Sequence, residues 1–217
     1  MKKVFLVNEF QTSWKYEMYN KLYAMVMDEN VFKDKEVLML GNYKVGRYDF
    51  DVILVVNREV FVIEFKKDVA STIYIKGAMD PWYNEVGEQM WAGKSHICPY
   101  KQSLTKRNIL HSSLKHHLDL KPGQILFLKS IVLYPQDVTV ECCEDFDVHT
   151  NKWFFVKSIS NVIPLIEEQT SLYTFTNIFA AFRKKLSNIQ QPSKKEMHLR
   201  IANFFETCLD KVASWFI

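Results

Sequence analysis

The sequence predicts an α/β protein, a mixed central sheet flanked by helices and followed by a C-terminal helical extension. Three observations carry this prediction. Two β-rich runs, 51–56 and 60–66, are apolar on both faces, as strands in the middle of a covered sheet are. The predicted elements run helix, strands, helix, strand, strand, helix, an order that packs helices onto a mixed sheet. Of 217 residues 48% are hydrophobic, with only six Gly and six Pro. That supplies one sizeable core and excludes collagen-like, linker-rich and disordered chains.

Trp14, Met18, Leu22, Met25 and Val26 recur at helical spacing behind Thr12 and Ser13, which can cap, so a helix is expected over 12–28. A short strand follows at 37–40, ended by the turn signal Gly41-Asn42. The runs 51–56 and 60–66, separated by Asn57-Arg58-Glu59, form a hairpin; 73–75 can add a third strand, and 77–98 reads as irregular. Pro99 suits a first helical position, and Leu104, Leu110, Leu114 and Leu118 line one face of a helix to about 119, closed by Lys121-Pro122-Gly123. Residues 124–134 read as a buried strand, 153–156 as a shorter one and 160–169 as a helix. The core domain is therefore expected over 1–170. The extension, 171–217, holds two helices, 176–188 and 195–216, joined around Gln191-Pro192-Ser193.

No apolar run approaches the roughly 20 residues that span a bilayer, and MKKVFLVNEF lacks the apolar stretch of a signal peptide. The four cysteines offer neither a disulfide framework nor zinc-ligand spacing. A cytoplasmic protein with no membrane contact and ordinary packed or surface thiols is expected. The net charge of +3 is unevenly spread: between Lys94 and Lys129 seven basic residues face one acid, Asp119, so the rest of the chain is net negative. Such a bias fits a phosphate-binding surface, with Lys101, Lys106, Arg107 and Lys115 as DNA-binding candidates. A solvated helix face is the plainer reading. His111, His116 and His117 lack the i, i+4 spacing that puts two ligands on one face. Trp82, Tyr83 and Trp91 could stack on bases or pack a long connection.

The chemistry lies in Asp51, Glu64 and Lys66. Glu64 and Lys66, two apart on a strand, share a face. A two-residue loop at Asn57-Arg58 puts Asp51 opposite Glu64, a three-residue loop opposite Phe65, and a loop at Arg58-Glu59 opposite Lys66. Two carboxylates about 5 Å apart repel by roughly 3 kcal/mol at an effective dielectric near 20. A hard divalent cation shared with substrate phosphate oxygens would remove that cost, with Lys66 positioning water or stabilising charge. The alternative is an Asp51–Lys66 ion pair with Glu64 reaching solvent.

Residues 12–168 resemble the nuclease-related domain (NERD) family of the PD-(D/E)xK nuclease superfamily. The resemblance rests on Phe50-Asp51, Phe61-Val62-Ile63-Glu64-Phe65-Lys66, Trp91 and Pro99-Tyr100-Lys101-Gln102; Cys98 stands where that family usually has Asn. It implies a restriction-endonuclease-like sheet and a metal-dependent nuclease that hydrolyses DNA. Asp51 and Glu64 would hold Mg²⁺ (or Mn²⁺), Lys66 would position water, and Gln102 and a first-helix acid, Glu17 or else Glu9, would support the site. A nucleic-acid-binding module with a vestigial site, acting through protein partners, is the second reading.

The segment 195–216 carries Met197, Leu199, Ile201, Phe204, Phe205, Leu209, Val212, Trp215 and Phe216, too much apolar surface for a free helix. It is expected to pack on the core, on a second copy as a homodimer, or on a protein partner. Truncation at residue 190 should therefore cause aggregation or change the oligomeric state in sedimentation, whereas a solvated tail would leave both unchanged.

Overall fold

In a computed structural model of the protein, the residues described are 2–57, 59–67, 71–90, 98–118 (side chains to 114), 128–143, 146–149 and 151–170. In chain order the elements are β1 (Lys2–Leu6), α1 (Ser13–Met27), β2 (Val37–Val45), β3 (Tyr48–Val56), β4 (Glu59–Phe65), β5 (Thr72–Ile75), β6 (Trp82–Asn84) and β7 (Gln89–Met90). Then follow α2 (Pro99–Leu118), β8 (Leu128–Tyr134), β9 (Thr139–Cys142), β10 (Phe154–Ser158) and α3 (Val162–Gln169), the last entered through a single 3₁₀ turn, Ile159–Asn161. The expected C-terminal helices, 176–188 and 195–216, Lys121-Pro122-Gly123 and Trp91 lie outside the described residues.

Among the described residues, six strands form a mixed sheet in the order β1-β2-β3-β4-β8-β10. β2, β3 and β4 are joined antiparallel, while β1 beside β2, β8 beside β4 and β10 beside β8 run parallel. All seven residues of β4 are buried, as the apolar run predicts for a strand covered on both faces. On one face Met18, Tyr19, Leu22 and Val26 of α1 and Val162, Ile163 and Ile166 of α3 pack on Leu54, Phe61, Ile63 and Ile131. On the other, Leu110 and Leu114 of α2 cover Ile53, Val55, Val60 and Val62. The α/β class and the flanking helices are thus as predicted.

Several elements differ from the expectation. β2 does not stop at Gly41-Asn42 but runs on to Val45 and turns through Gly46, at φ +60°, into β3. Asn42 takes φ 47° within the strand, yet Gly41–Val52 and Tyr43–Phe50 keep one register on either side, so no residue is inserted. The kink is held by side chains: Asn42 Nδ2 donates to the Glu9 carbonyl at 2.6 Å, and Asn8 Nδ2 to the Asn42 carbonyl at 2.8 Å. Residues 73–75 do form a strand, but in a second sheet, β7-β6-β5-β9, two strands of which, β6 and β7, lie in the stretch read as irregular. Trp82 is fully buried there against Phe154, which removes it from base stacking.

Gly41 has a steric reason. A Cβ there would lie 2.3 Å from Cε2 of the Tyr19 ring, and Tyr19 is itself buried in the core. Gly41→Ala should destabilise the protein by about 1–3 kcal/mol through overpacking, read by urea denaturation. Adding Tyr19→Leu should recover part of that loss, a non-additivity that a purely backbone effect would not produce.

Candidate functional site

The hairpin between β3 and β4 uses the two-residue loop, because Val56 pairs with Glu59 and the register runs unbroken to Val52–Ile63. Asn57 at φ 54° supplies the left-handed conformation that such a loop needs. The ladder ends there, and the next residues along the two strands are Asp51 and Glu64. Both carboxylates are buried, Asp51 3% and Glu64 2% exposed, and Lys66 is 8% exposed. The burial of Glu64 sets aside the alternative in which it reaches solvent.

Each carboxylate has its own cation, and neither cation is Lys66. Lys15, from the first turn of α1, places Nζ 2.5 Å from Asp51 Oδ1, while Asp51 Oδ2 accepts the Phe65 N–H at 2.9 Å. Lys106, from α2, places Nζ 2.6 Å from both Oε1 and Oε2 of Glu64. Lys66 Nζ instead donates to Gln102 Oε1 at 2.6 Å. Ser103, Lys106, Leu110 and Leu114 are all buried at the spacing of one helix face, so the apolar stripe that docks α2 carries Lys106 onto Glu64. Cys98 fits this geometry: its sulfur accepts the Lys101 N–H at 3.4 Å, a capping role at the start of α2.

The five charged groups act on one another. Burial pushes the Glu64 carboxyl up from its usual range, Lys106 and Lys66 act against that, and the negative charge of Asp51 adds to it. Burial lowers the Lys66 ammonium, opposed by Glu64 and Asp51. For Lys15 burial also disfavours the charge, but the charge and hydrogen bond of Asp51 outweigh it and raise the pKa. Three ammonium groups against two carboxylates leave the cluster one positive charge in excess. The repulsion between Asp51 and Glu64 is therefore offset within the chain rather than left for a metal to relieve.

The structure thus brings Asp51, Glu64, Lys66 and Gln102 together and adds Lys15 and Lys106. Glu17 and Glu9 are exposed, unlike Asp51, Glu64 and Lys66. Lys106, read from the sequence as a DNA-facing cation, is buried against Glu64 instead. Arg107 is half-buried, its guanidinium 4.7 Å from the centre of the Trp153 ring and its Nε donating to the Leu128 carbonyl at 2.8 Å. Lys101 is exposed, and the Lys115 side chain lies outside the described residues. Lys129, from the same basic segment, pairs with buried Glu59 at 3.0 Å. The Lys106 position had a sequence signal, since it falls four residues after Gln102 on one helix. Lys15 had none, because its contact depends on where the start of α1 meets β3.

The donors suit a hard divalent cation in kind: two buried carboxylates at adjoining strand positions. An ion held by Asp51 and Glu64 would have to share or take Glu64 from Lys106, which now occupies both of its oxygens.

Lys106→Met keeps the aliphatic stem and removes the ammonium, leaving Glu64 buried without its close partner. It should cost about 3–5 kcal/mol of stability, measured by urea denaturation, and the double variant Lys106→Met/Glu64→Gln should recover much of that loss. A cation that only faced solvent would change stability by no more than about 0.5 kcal/mol.

No family model matches the chain, and no curated protein or solved structure matches it either.

Proposed function

We propose that the protein is a metal-dependent nuclease that hydrolyses DNA phosphodiester bonds at the Asp51, Glu64 and Lys66 cluster. The observation that carries this reading is the convergence of two buried carboxylates with Lys66, itself anchored by Gln102, at one end of a strand pair in a mixed sheet. A single structural ion pair has no use for a second carboxylate and three lysines. Asp51 and Glu64 would hold Mg²⁺ or Mn²⁺, which supplies Lewis-acid polarisation of the phosphate and a more acidic water. Gln102 fixes the Lys66 ammonium by accepting its hydrogen bond, which leaves the other Nζ protons to orient water or a phosphate oxygen. The excess positive charge of the cluster favours an anion beside it, and exposed Lys101, next to Gln102, extends that field outward. A restriction-endonuclease-like fold belongs to this proposal, as does DNA as partner.

One observation favours the second reading, a nucleic-acid-binding module with a vestigial site. Lys15 and Lys106 already neutralise both carboxylates, so the network is complete as an ion-pair structure. Incubation of supercoiled plasmid with Mg²⁺ or Mn²⁺ separates the two. The nuclease reading expects nicked or linear product from the parent protein, and a fall of orders of magnitude for Lys66→Ala and Glu64→Gln. An inert parent that still retains DNA on filters in EDTA supports the binding module, and no retention removes DNA from both readings.

A further inference from the structure

Away from the lysine–carboxylate cluster, a second set of metal-type donors meets at the end of β9. Cys142, Asp147 and His149 each place one donor atom (a sulfur, a carboxylate oxygen and a ring nitrogen) within 4.8 Å of the other two. Cys142 ends the strand, and the other two lie where the chain returns toward β10. The return is anchored by apolar side chains, since Val148 is buried in the core beneath the second sheet and Phe146 packs partly buried against it. Asp147 Oδ1 accepts the His149 backbone N–H at 2.7 Å. His149 Nε2 lies 3.2 Å from the Val140 carbonyl oxygen. A carbonyl can only accept, so Nε2 carries the proton and the lone pair of the neutral ring is on Nδ1. Ligating histidines are commonly oriented by such a bond from the other ring nitrogen to a backbone carbonyl. Cys143 is turned elsewhere, its thiol donating to the Lys76 carbonyl.

We infer that Cys142, Asp147 and His149 form a zinc site with three protein ligands and a fourth position open to water, clasping β9 to the segment that returns to β10. The donor set decides the metal. A thiolate and an imidazole suit Zn²⁺ and not Mg²⁺, which prefers oxygen throughout. One thiolate and one carboxylate neutralise the ion's two charges. Zinc bonds of about 2.0–2.3 Å bring tetrahedral ligand atoms to roughly 3.3–3.8 Å from one another, so donors that stand within 4.8 Å need to close by at most about 1.5 Å. The site is separate from the proposed nuclease centre and does not depend on that reading.

The test is a titration of the full-length, metal-stripped protein with Co²⁺, whose visible bands report tetrahedral coordination and whose near-ultraviolet thiolate band reports a Co–S bond. The parent should show both bands at one equivalent, bleached by Zn²⁺ and not by Mg²⁺. Both should be lost in Cys142→Ser and at least tenfold weaker in affinity in His149→Ala, while Cys143→Ser and Glu64→Gln retain them. A parent with no thiolate band overturns the site without any variant. Retention of the band in Cys142→Ser, or its loss in Cys143→Ser, overturns the ligand assignment.

Discussion

Burial of β4 on both faces governs much of this structure, because every charge on that strand must find its partner inside the fold. β4 is bonded to β3 on one side and β8 on the other, and it carries two carboxylates, Glu59 and Glu64. Left unpaired in such a place, each would carry a desolvation cost of several kcal/mol. Lys129 on β8 answers Glu59, and Lys106 on α2 answers Glu64. These pairs also fix position: sliding α2 along its axis by one turn, about 5.4 Å, would strip Glu64 of its cation and withdraw Gln102 from Lys66. The ion pairs therefore specify which layer of the helix meets the sheet, a constraint that apolar contacts through Leu110 and Leu114 impose less sharply.

The same constraint shapes the candidate site. Asp51 and Glu64 converge because a two-residue loop sets their register, and their mutual repulsion is met by Lys15 from one face of the sheet and Lys106 from the other. The chain thus holds the carboxylates together without help from an ion. A nuclease built on this cluster would exchange one cation for another at Glu64, a competition between an ammonium and a divalent metal with similar electrostatic roles. A binding module would keep the lysines in place and present the excess positive charge to a phosphate. The chemistry of the two readings diverges at that exchange.

The second sheet poses a different problem. Its strands run from two to four residues, short for independent stability. It is secured by Ile73, Ile75 and Trp82, which pack on Val132, Tyr134 and Phe154 beneath it. The cluster at the end of β9 lies where this sheet rejoins the main one, at a point where a cross-link would limit fraying.

Much of the fold was legible locally. The helix over 12–28, the hairpin and the helix from Pro99 follow from periodicity and turn chemistry, because amphipathic spacing and a short loop between β-rich runs are properties of neighbouring residues. Asp51, Glu64 and Lys66 could be singled out the same way, as hydrophilic groups on or beside apolar runs, whereas Gln102 came only with the family resemblance. What the sequence could not decide was which groups neutralise them. Lys15 and Lys106 are 36 and 42 residues from their partners and arrive from helices on opposite faces of the sheet, so no spacing rule connects them. The basic segment from Lys94 to Lys129 showed the limit of counting charge: Lys106 and Lys129 are turned inward to buried glutamates, Arg107 lies over Trp153, and Lys101 points to solvent. Gly41-Asn42 is the same lesson in the backbone. Locally it signals a turn, but Tyr19 needs the missing side chain and Asn8 and Glu9 hold the kink, so the strand runs on. Sequence alone determined which residues form helices, strands and candidate donors. Tertiary structure decided which charges meet, because in a buried sheet the energy of a charge is set by partners that only the completed packing brings near.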